Sequence, residues 1–164
     1  MNNGLLILSC SILYIALSVN VLAQECTIYS VDEWIVRCDQ TIQQLEDVLS
    51  KTDKQQHMNY TIANLCFLYD VKLNYMFQQY LGLLITTEQK KEASSEQVQW
   101  IKKKEVITDK IYNSYNGGTG GPYTSGLKYI KLTKERIKVL GFKISCIKRL
   151  MWKRCVMDTC MILN

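Results

Sequence analysis

The most apolar stretch beyond the N-terminus of the chain is residues 61–84, with the sequence TIANLCFLYDVKLNYMFQQYLGLL. Its apolar residues recur three and four positions apart, which is the spacing of one face of an α-helix. The stretch is therefore predicted to be a helix at the centre of the core. The predicted inward face consists of Ile62, Leu65, Cys66, Tyr69, Leu73, Met76, Phe77, Tyr80, Leu81 and Leu84.

A helix is predicted before this stretch, from about Val31 to Ser50. Residues 30–33, Ser-Val-Asp-Glu, form a capping-box pattern, in which the serine and glutamate side chains bond each other's backbone amides. The apolar stripe that follows again has helical spacing and consists of Val31, Trp34, Ile35, Cys38, Ile42, Leu45, Val48 and Leu49.

Residues 51–59 have no apolar periodicity and are predicted to form a surface loop. This loop would carry His57, the single histidine of the chain. It ends in Asn59-Tyr60-Thr61, which is an acceptor pattern for N-glycosylation in a secreted protein. Asn59 is therefore a candidate glycosylation site.

A third helix is predicted to begin at Ser94, which forms a second capping-box pattern with Gln97, and to end near Tyr115. Residues 86–95 would then be a polar connector. The inward residues of this helix are predicted to be Trp100, Ile107, Ile111 and Tyr115. Residues 116–122, NGGTGGP, are predicted to be a glycine-rich connector because glycine and proline interrupt helices.

A fourth helix is predicted from a cap at Thr124 or Ser125 to about Cys155, with a break near Gly141. Its inward line is Leu127, Ile130, Ile137, Leu140, Ile144, Ile147 and Met151. Strand-type alternation is missing from the sequence. The predicted fold is all-α: a disulfide-stabilised bundle of about four helices that forms a single domain over residues 24–164.

Residues 1–23 are predicted to be a secretory signal peptide. The apolar run from Leu5 to Leu17 is short for a membrane span, and Val21-Leu22-Ala23 resembles a signal-peptidase cleavage site, which places the mature start at Gln24. An uncleaved anchor is the alternative, because no Lys or Arg precedes the apolar run. Export predicts an extracellular location.

Six cysteines follow the predicted leader, and in an oxidising compartment they are expected to form three disulfides: Cys26, Cys38, Cys66, Cys146, Cys155 and Cys160. The pairing is left open. In an up-down-up-down bundle, Cys26 and Cys38 would lie near the C-terminal cysteines, whereas Cys66 does not fit this layout. A metal site is disfavoured because no C-x-x-C occurs and there is one histidine.

The charge of the chain is strongly polarised. Residues 24–99 contain 6 Lys and Arg against 11 Asp and Glu, and residues 100–164 contain 14 against 4. The predicted fourth helix carries a candidate partner-binding basic face: Lys128, Lys131, Lys134, Arg136, Lys138, Lys143, Lys148, Arg149, Lys153 and Arg154. An acidic partner, an anionic membrane or glycan, or pairing with the acidic half of the chain would each explain this polarity. The alternative is that the lysines are the solvated back of a core helix.

Neither a catalytic site nor a cofactor site is predicted. A nucleophile needs an activating base, and His57 is the single histidine available. The glycine-rich connector lacks the Lys and hydroxyl residue that complete a phosphate-binding P-loop. The leading hypothesis is a secreted non-enzymatic interaction protein that binds an extracellular partner and no nucleic acid. The alternatives are a cationic membrane- or matrix-active protein that uses the basic helix, and a small-lipid carrier.

Overall fold

The computed structural model describes the backbone of residues 31–162 and the side chains of residues 33–152. This part of the chain consists of four α-helices and contains no strand: α1 (Val31–Lys51), α2 (Gln55–Leu83), α3 (Thr87–Asn113) and α4 (Gly120–Ile162). The predicted all-α bundle of four helices is confirmed. The predicted leader, residues 1–23, lies outside the described residues.

Contacts within the chain place a boundary between two units at Val36 and Arg37. Of the first unit the structure describes the opening residues of α1. The second unit contains the remainder of α1 and the other three helices.

The core of the second unit is built around α4, which packs along both α2 and α3. Leu140 of α4 is fully buried, and Ile62 and Leu65 of α2 are almost so. Cys38 and Ile42 of α1 form one buried cluster with Ile62 and Leu65. The apolar stripes predicted for α1, α2 and α4 therefore supply the core, as burying one face of each amphipathic helix requires.

Gly126 permits the close approach of α2 and α4. A Cβ atom at this position would lie 2.7 Å from Cγ1 of Ile62, which is closer than such contacts allow. The thiol of Cys66 lies beside the same point and donates to the carbonyl of Gly126 over 3.7 Å. A residue without a side chain is thus required where these two helices meet.

The prediction of a surface loop over residues 51–59 is wrong. The connection is three residues long, and α2 begins at Gln55, so both His57 and Asn59 lie in its first turns. These turns are polar because they extend past the core, and apolar periodicity cannot detect such a segment.

The start predicted for the third helix is also wrong. The capping box that forms is Thr86 with Gln89: the Gln89 amide donates to the Thr86 hydroxyl over 3.2 Å, and the Gln89 side chain accepts from the Thr86 amide over 3.1 Å. Ser94 and Gln97, which carry the same pattern, lie inside α3. The connector is therefore Leu84 to Thr86 and not residues 86–95.

The fourth helix is longer than predicted. It begins at Gly120 and runs without a break past Gly141 to Ile162. Pro122 lies in its first turn, where a missing amide hydrogen costs no hydrogen bond. The glycine-rich connector is consequently shorter than 116–122, and the chain reverses at Asn116 and Gly117, whose φ angles are 47° and 80°.

Of the predicted inward residues of α3, Trp100, Ile107 and Ile111 are half-buried, but they are not the most buried residues of this helix. Its buried residues are Ala93, Gln97, Lys104 and Thr108, whereas Tyr115 is exposed. Among the other predicted core residues, Trp34, Val48, Leu127 and Met151 are exposed. The third helix therefore joins the bundle through a face whose most buried residues are mainly polar.

Candidate functional site

The basic residues predicted as a partner-binding face fall into three groups. Lys134, Arg136 and Lys143 form ion pairs with Glu46 and Glu96 of the acidic half. Lys128 is half-buried. The exposed group is Lys131, Lys138, Lys148 and Arg149, while the side chains of Lys153 and Arg154 lie outside the described residues. Part of the positive charge of α4 is thus balanced by acidic residues within the fold.

The first of these charge clusters, the Glu46 cluster, joins α1, α2 and α4. The ammonium of Lys134 and the hydroxyl of Tyr69 donate to the same oxygen of Glu46, over 2.7 Å and 2.8 Å. Burial alone would raise the pKa of the Glu46 carboxyl, but the two hydrogen bonds and the Lys134 charge hold it below its ordinary value. Glu46 and Lys134 keep 42% and 44% of their side-chain surface exposed.

The second cluster, the Asp70 cluster, has the same composition and joins α2, α3 and α4. The ammonium of Lys104 donates to one oxygen of Asp70 over 2.9 Å, and the Tyr129 hydroxyl donates to the other. The Lys104 nitrogen lies 3.5 Å from the centroid of the Tyr129 ring and 5.1 Å from that of Trp100. Burial and the Asp70 carboxylate raise the pKa of the Tyr129 hydroxyl well above its usual range.

The third cluster, the Glu96 cluster, joins α3 to α4. Arg136 and Lys143 each donate to one carboxylate oxygen of Glu96 over 2.8 Å, and these hydrogen bonds lower the pKa of Glu96. The buried guanidinium of Arg136 also donates to the side chain of Gln97 over 2.9 Å. No buried polar side-chain atom among the described residues lacks a hydrogen-bond partner.

A groove between α2 and α3 contains two open clefts on either side of the Asp70 cluster. One cleft, of about 450 Å³, is lined by residues that include Leu73, Phe77 and Ile101. The other, of about 370 Å³, is lined by residues that include Cys66 and Tyr112. The charged groups that separate the clefts are already paired with one another, so they offer little binding capacity to a further ligand.

The predicted disulfides are not confirmed. Cys38, Cys66 and Cys146 are free thiols, and the side chains of Cys26, Cys155 and Cys160 lie outside the described residues. The Cys38 thiol is buried and donates to the carbonyl of Leu68. Burial and the nearby Asp70 raise the pKa of the Cys66 thiol to about 11. Cys146, in contrast, is exposed on α4.

Asn59, the candidate glycosylation site, is held by two hydrogen bonds. Its Nδ2 atom, to which a glycan would be attached, donates to the carbonyl of Thr119 over 2.9 Å, and its side-chain oxygen accepts from Gln55. A glycan at Asn59 would therefore displace the contact between α2 and the connector before α4. Glycosylation of Asn59 stays a prediction. A shift in the mass of the secreted protein on glycosidase treatment would test it.

An exposed apolar stripe runs along the side of α4 that faces away from the core. Val139, Phe142, Cys146 and Leu150 lie three or four positions apart, and they are all exposed, with Phe142 at 71% and Leu150 at 66%. They lie on the side opposite Ile137, Leu140 and Ile144, which face the other helices of the bundle. We call these four residues the outward face of α4. Of the apolar stripe predicted from the sequence, Leu127 to Met151, the part from Ile130 to Ile144 belongs to the core, and the sequence interpretation missed this second stripe.

Past Ile144, the side chains of α4 make little contact with the rest of the described chain. From Lys148 to Trp152 every residue is exposed, including Trp152 at 72%. Contiguous exposed apolar surface is unusual on a soluble protein and marks interaction surfaces. The outward face and its extension therefore form the candidate functional site.

Within the described residues, no group of His, Cys, Asp and Glu side chains is arranged to hold a metal ion. In the same part of the chain, no helix combines the length and apolar character needed to cross a bilayer. No protein family, curated protein or solved structure matches this chain. The chemistry of the outward face of α4 is therefore the basis for assigning a function.

Proposed function

We propose that this chain is a secreted, non-enzymatic helical interaction protein that binds an extracellular partner through the outward face of α4. The observation that carries the proposal is the exposure of Phe142 and Leu150 on the side of α4 that the core does not use. Large apolar side chains supply most of the energy at protein interfaces when they are desolvated.

The outward face is a better candidate than the groove between α2 and α3. In the groove, Lys104, Asp70 and Tyr129 are engaged with one another, and a ligand would have to break these contacts. A partner on the outward face of α4 would instead cover exposed apolar area without disturbing any hydrogen bond of the bundle. Both clefts of the groove are open, whereas a lipid carrier needs an enclosed apolar cavity. We therefore do not propose the carrier function.

The proposal includes export and oxidation of the six cysteines that follow the leader. Mass spectrometry of the secreted protein without reduction tests it: cleavage after Ala23 and three disulfides are expected. An intact leader together with six alkylatable thiols would contradict both parts. If the thiols remain reduced, Cys146 should react with iodoacetamide well before Cys38 and Cys66, since Cys38 is buried, Cys66 is half-buried and both have raised pKa values.

Partner capture with paired variants tests the binding surface. The secreted protein is immobilised and exposed to fluid from the same tissue, and the captured proteins are crosslinked and identified. A Phe142→Ser/Leu150→Ser double variant should lose the captured partner. Phe67→Ser is the matched control, because Phe67 is an aromatic residue of α2 that is 67% exposed on another surface. Equal capture by both variants and the unaltered protein would refute the proposed surface.

A further inference from the structure

The outward face of α4 is bordered by cations. Lys138 precedes Val139 and Arg149 precedes Leu150, so both lie along one edge of the stripe, which Lys131 extends. These three cations are exposed, and the described part of the chain provides no ion-pair partner for them. On the other edge lies Lys143, whose charge Glu96 already balances. The apolar stripe therefore has a free basic edge.

Acidic residues are scarce along this part of α4. Glu135 is exposed on the same side, one turn before Val139, and the next acidic residue in the sequence is Asp158. The stripe from Val139 to Leu150 is about 17 Å long at 1.5 Å per residue. Along this length the outward side combines apolar and positively charged groups with no negative one.

The charges decide which partner fits this side of the helix. A second copy of the chain would bring the same cations to the interface, and like charges brought together there repel. An anionic partner is attracted instead. The surface is the outer side of a single helix and contains no groove into which a peptide could dock, so it fits a broad and flat partner.

The surface of a membrane that contains anionic lipids is negatively charged, broad and flat, as this partner must be. Helices that lie at a membrane interface bury an apolar stripe at the boundary between headgroups and acyl chains, while Lys and Arg at the edges of the stripe extend to the phosphates. Because the outward face lies opposite the buried residues Leu140 and Ile144, the bundle can rest on such a surface without unfolding.

We propose that the outward face of α4 binds anionic lipid headgroups peripherally, with Phe142 and Leu150 inserted and with Lys138 and Arg149 contacting the phosphates. This inference rests on the proposed function, whose partner it identifies as a membrane surface and not a protein.

Sedimentation of the secreted protein with vesicles tests the inference. Phosphatidylcholine vesicles that contain phosphatidylserine should bind the protein at low salt, and pure phosphatidylcholine vesicles should bind it far more weakly. Lys138→Gln and Arg149→Gln should each lower the partition coefficient about fivefold. Added salt should weaken binding because it screens exposed charges.

The variants used for partner capture separate the two proposals. Phe142→Ser/Leu150→Ser should abolish vesicle binding and Phe67→Ser should not, with circular dichroism and the urea midpoint confirming that both are folded. Absence of uptake on the anionic vesicles, or uptake that the double variant retains, overturns the lipid assignment. If the capture of a protein still depends on Phe142 and Leu150, the proposed function stands although the lipid assignment fails. If neither vesicles nor any protein depends on these residues, both fail.

Discussion

Tyr69 and Asp70 are neighbours on α2, yet they belong to two charge clusters that differ in their exposure to water. Each cluster contains one carboxylate, one lysine and one tyrosine drawn from three helices. In the Asp70 cluster the Lys104 side chain is 3% exposed, whereas in the Glu46 cluster the Lys134 side chain is 44% exposed. The carboxylates of Asp70 and Glu46 are equally exposed, at 42%, so the clusters differ at the lysine. We therefore expect two ion pairs of the same composition to differ in energy, because water reaches one lysine and is excluded from the other.

The largest effect is expected from Asp70→Ala. This change leaves the Lys104 ammonium buried without its carboxylate, and the free energy of unfolding should fall by about 3–5 kcal/mol. Urea denaturation followed by circular dichroism measures it.

Two controls accompany this variant. Asp47→Ala removes an exposed ion pair with Lys51 and should cost less than about 1 kcal/mol. Asp70→Leu combined with Lys104→Met removes both charges and should restore most of the lost stability, because an apolar pair of similar size can replace a buried ion pair. Equal effects of Asp70→Ala and Asp47→Ala would show that burial makes no difference here.

A smaller effect is expected from Tyr129→Phe, which removes the hydroxyl that donates to Asp70. Hydrogen bonds to charged groups contribute about 1.5–3 kcal/mol, and because the Asp70 side chain is 42% exposed, Tyr129→Phe should fall near the lower end of this range. Tyr69→Phe is the matched change in the Glu46 cluster, where the carboxylate is equally exposed. The two variants should therefore lose similar unfolding free energy, and a loss from one that is several times the other would show that the clusters differ in more than the exposure of their lysines.

Lys134→Ala should reduce the free energy of unfolding by less than about 1 kcal/mol, because nearly half of each partner is exposed. Raising the salt concentration should reduce the difference further, since salt screens exposed pairs. The urea midpoints of the variant and the unaltered protein, compared at low and high salt, provide the measurement. A loss of unfolding free energy as large as that of Asp70→Ala would mean that water is excluded from the Glu46 cluster.

The smallest effect concerns pH. The pKa of Glu46 is lowered in the folded protein, so its contribution to stability is present above the ordinary glutamate value of 4.5 and is lost as the pH falls through the folded pKa. Glu46→Gln should therefore make the urea midpoint less sensitive to acidification below pH 4.5. An unaltered dependence of the urea midpoint on pH in Glu46→Gln would contradict this contribution.

The helical spacing of apolar residues predicted those parts of the fold that are held together by apolar stripes. The faces of α1 and α2 could be read from Cys38, Ile42, Ile62 and Leu65, because helical spacing alone places them on one side. The capping box at Thr86 could also have been identified, since its pattern is the same as that of Ser94 with Gln97. Choosing between two such patterns requires knowledge of where the packed part of the bundle ends.

The buried face of α3 could not be predicted in this way. Lys104 resembles the other lysines of its run, and it is buried because Asp70, 34 residues away, supplies a carboxylate. Likewise Gln97 is buried because Arg136 donates to it from 39 residues away. Polar residues carry no periodic signal of burial when their partners lie on other helices. The outward face of α4, by contrast, was accessible to sequence reasoning, since Phe142, Cys146 and Leu150 recur at intervals of four.

The dependence of every charge cluster on α4 has a consequence for how the protein is made. Glu46 and Lys134 are 88 residues apart, so the ribosome synthesises α1 and α2 seconds before their partners on α4 emerge. Until then the apolar side of α2 and the carboxylates of Glu46 and Glu96 lack the residues that cover or neutralise them. A nascent chain stalled before Gly120 should therefore be a target for chaperones, and truncation there should yield a protein that aggregates instead of a smaller folded domain.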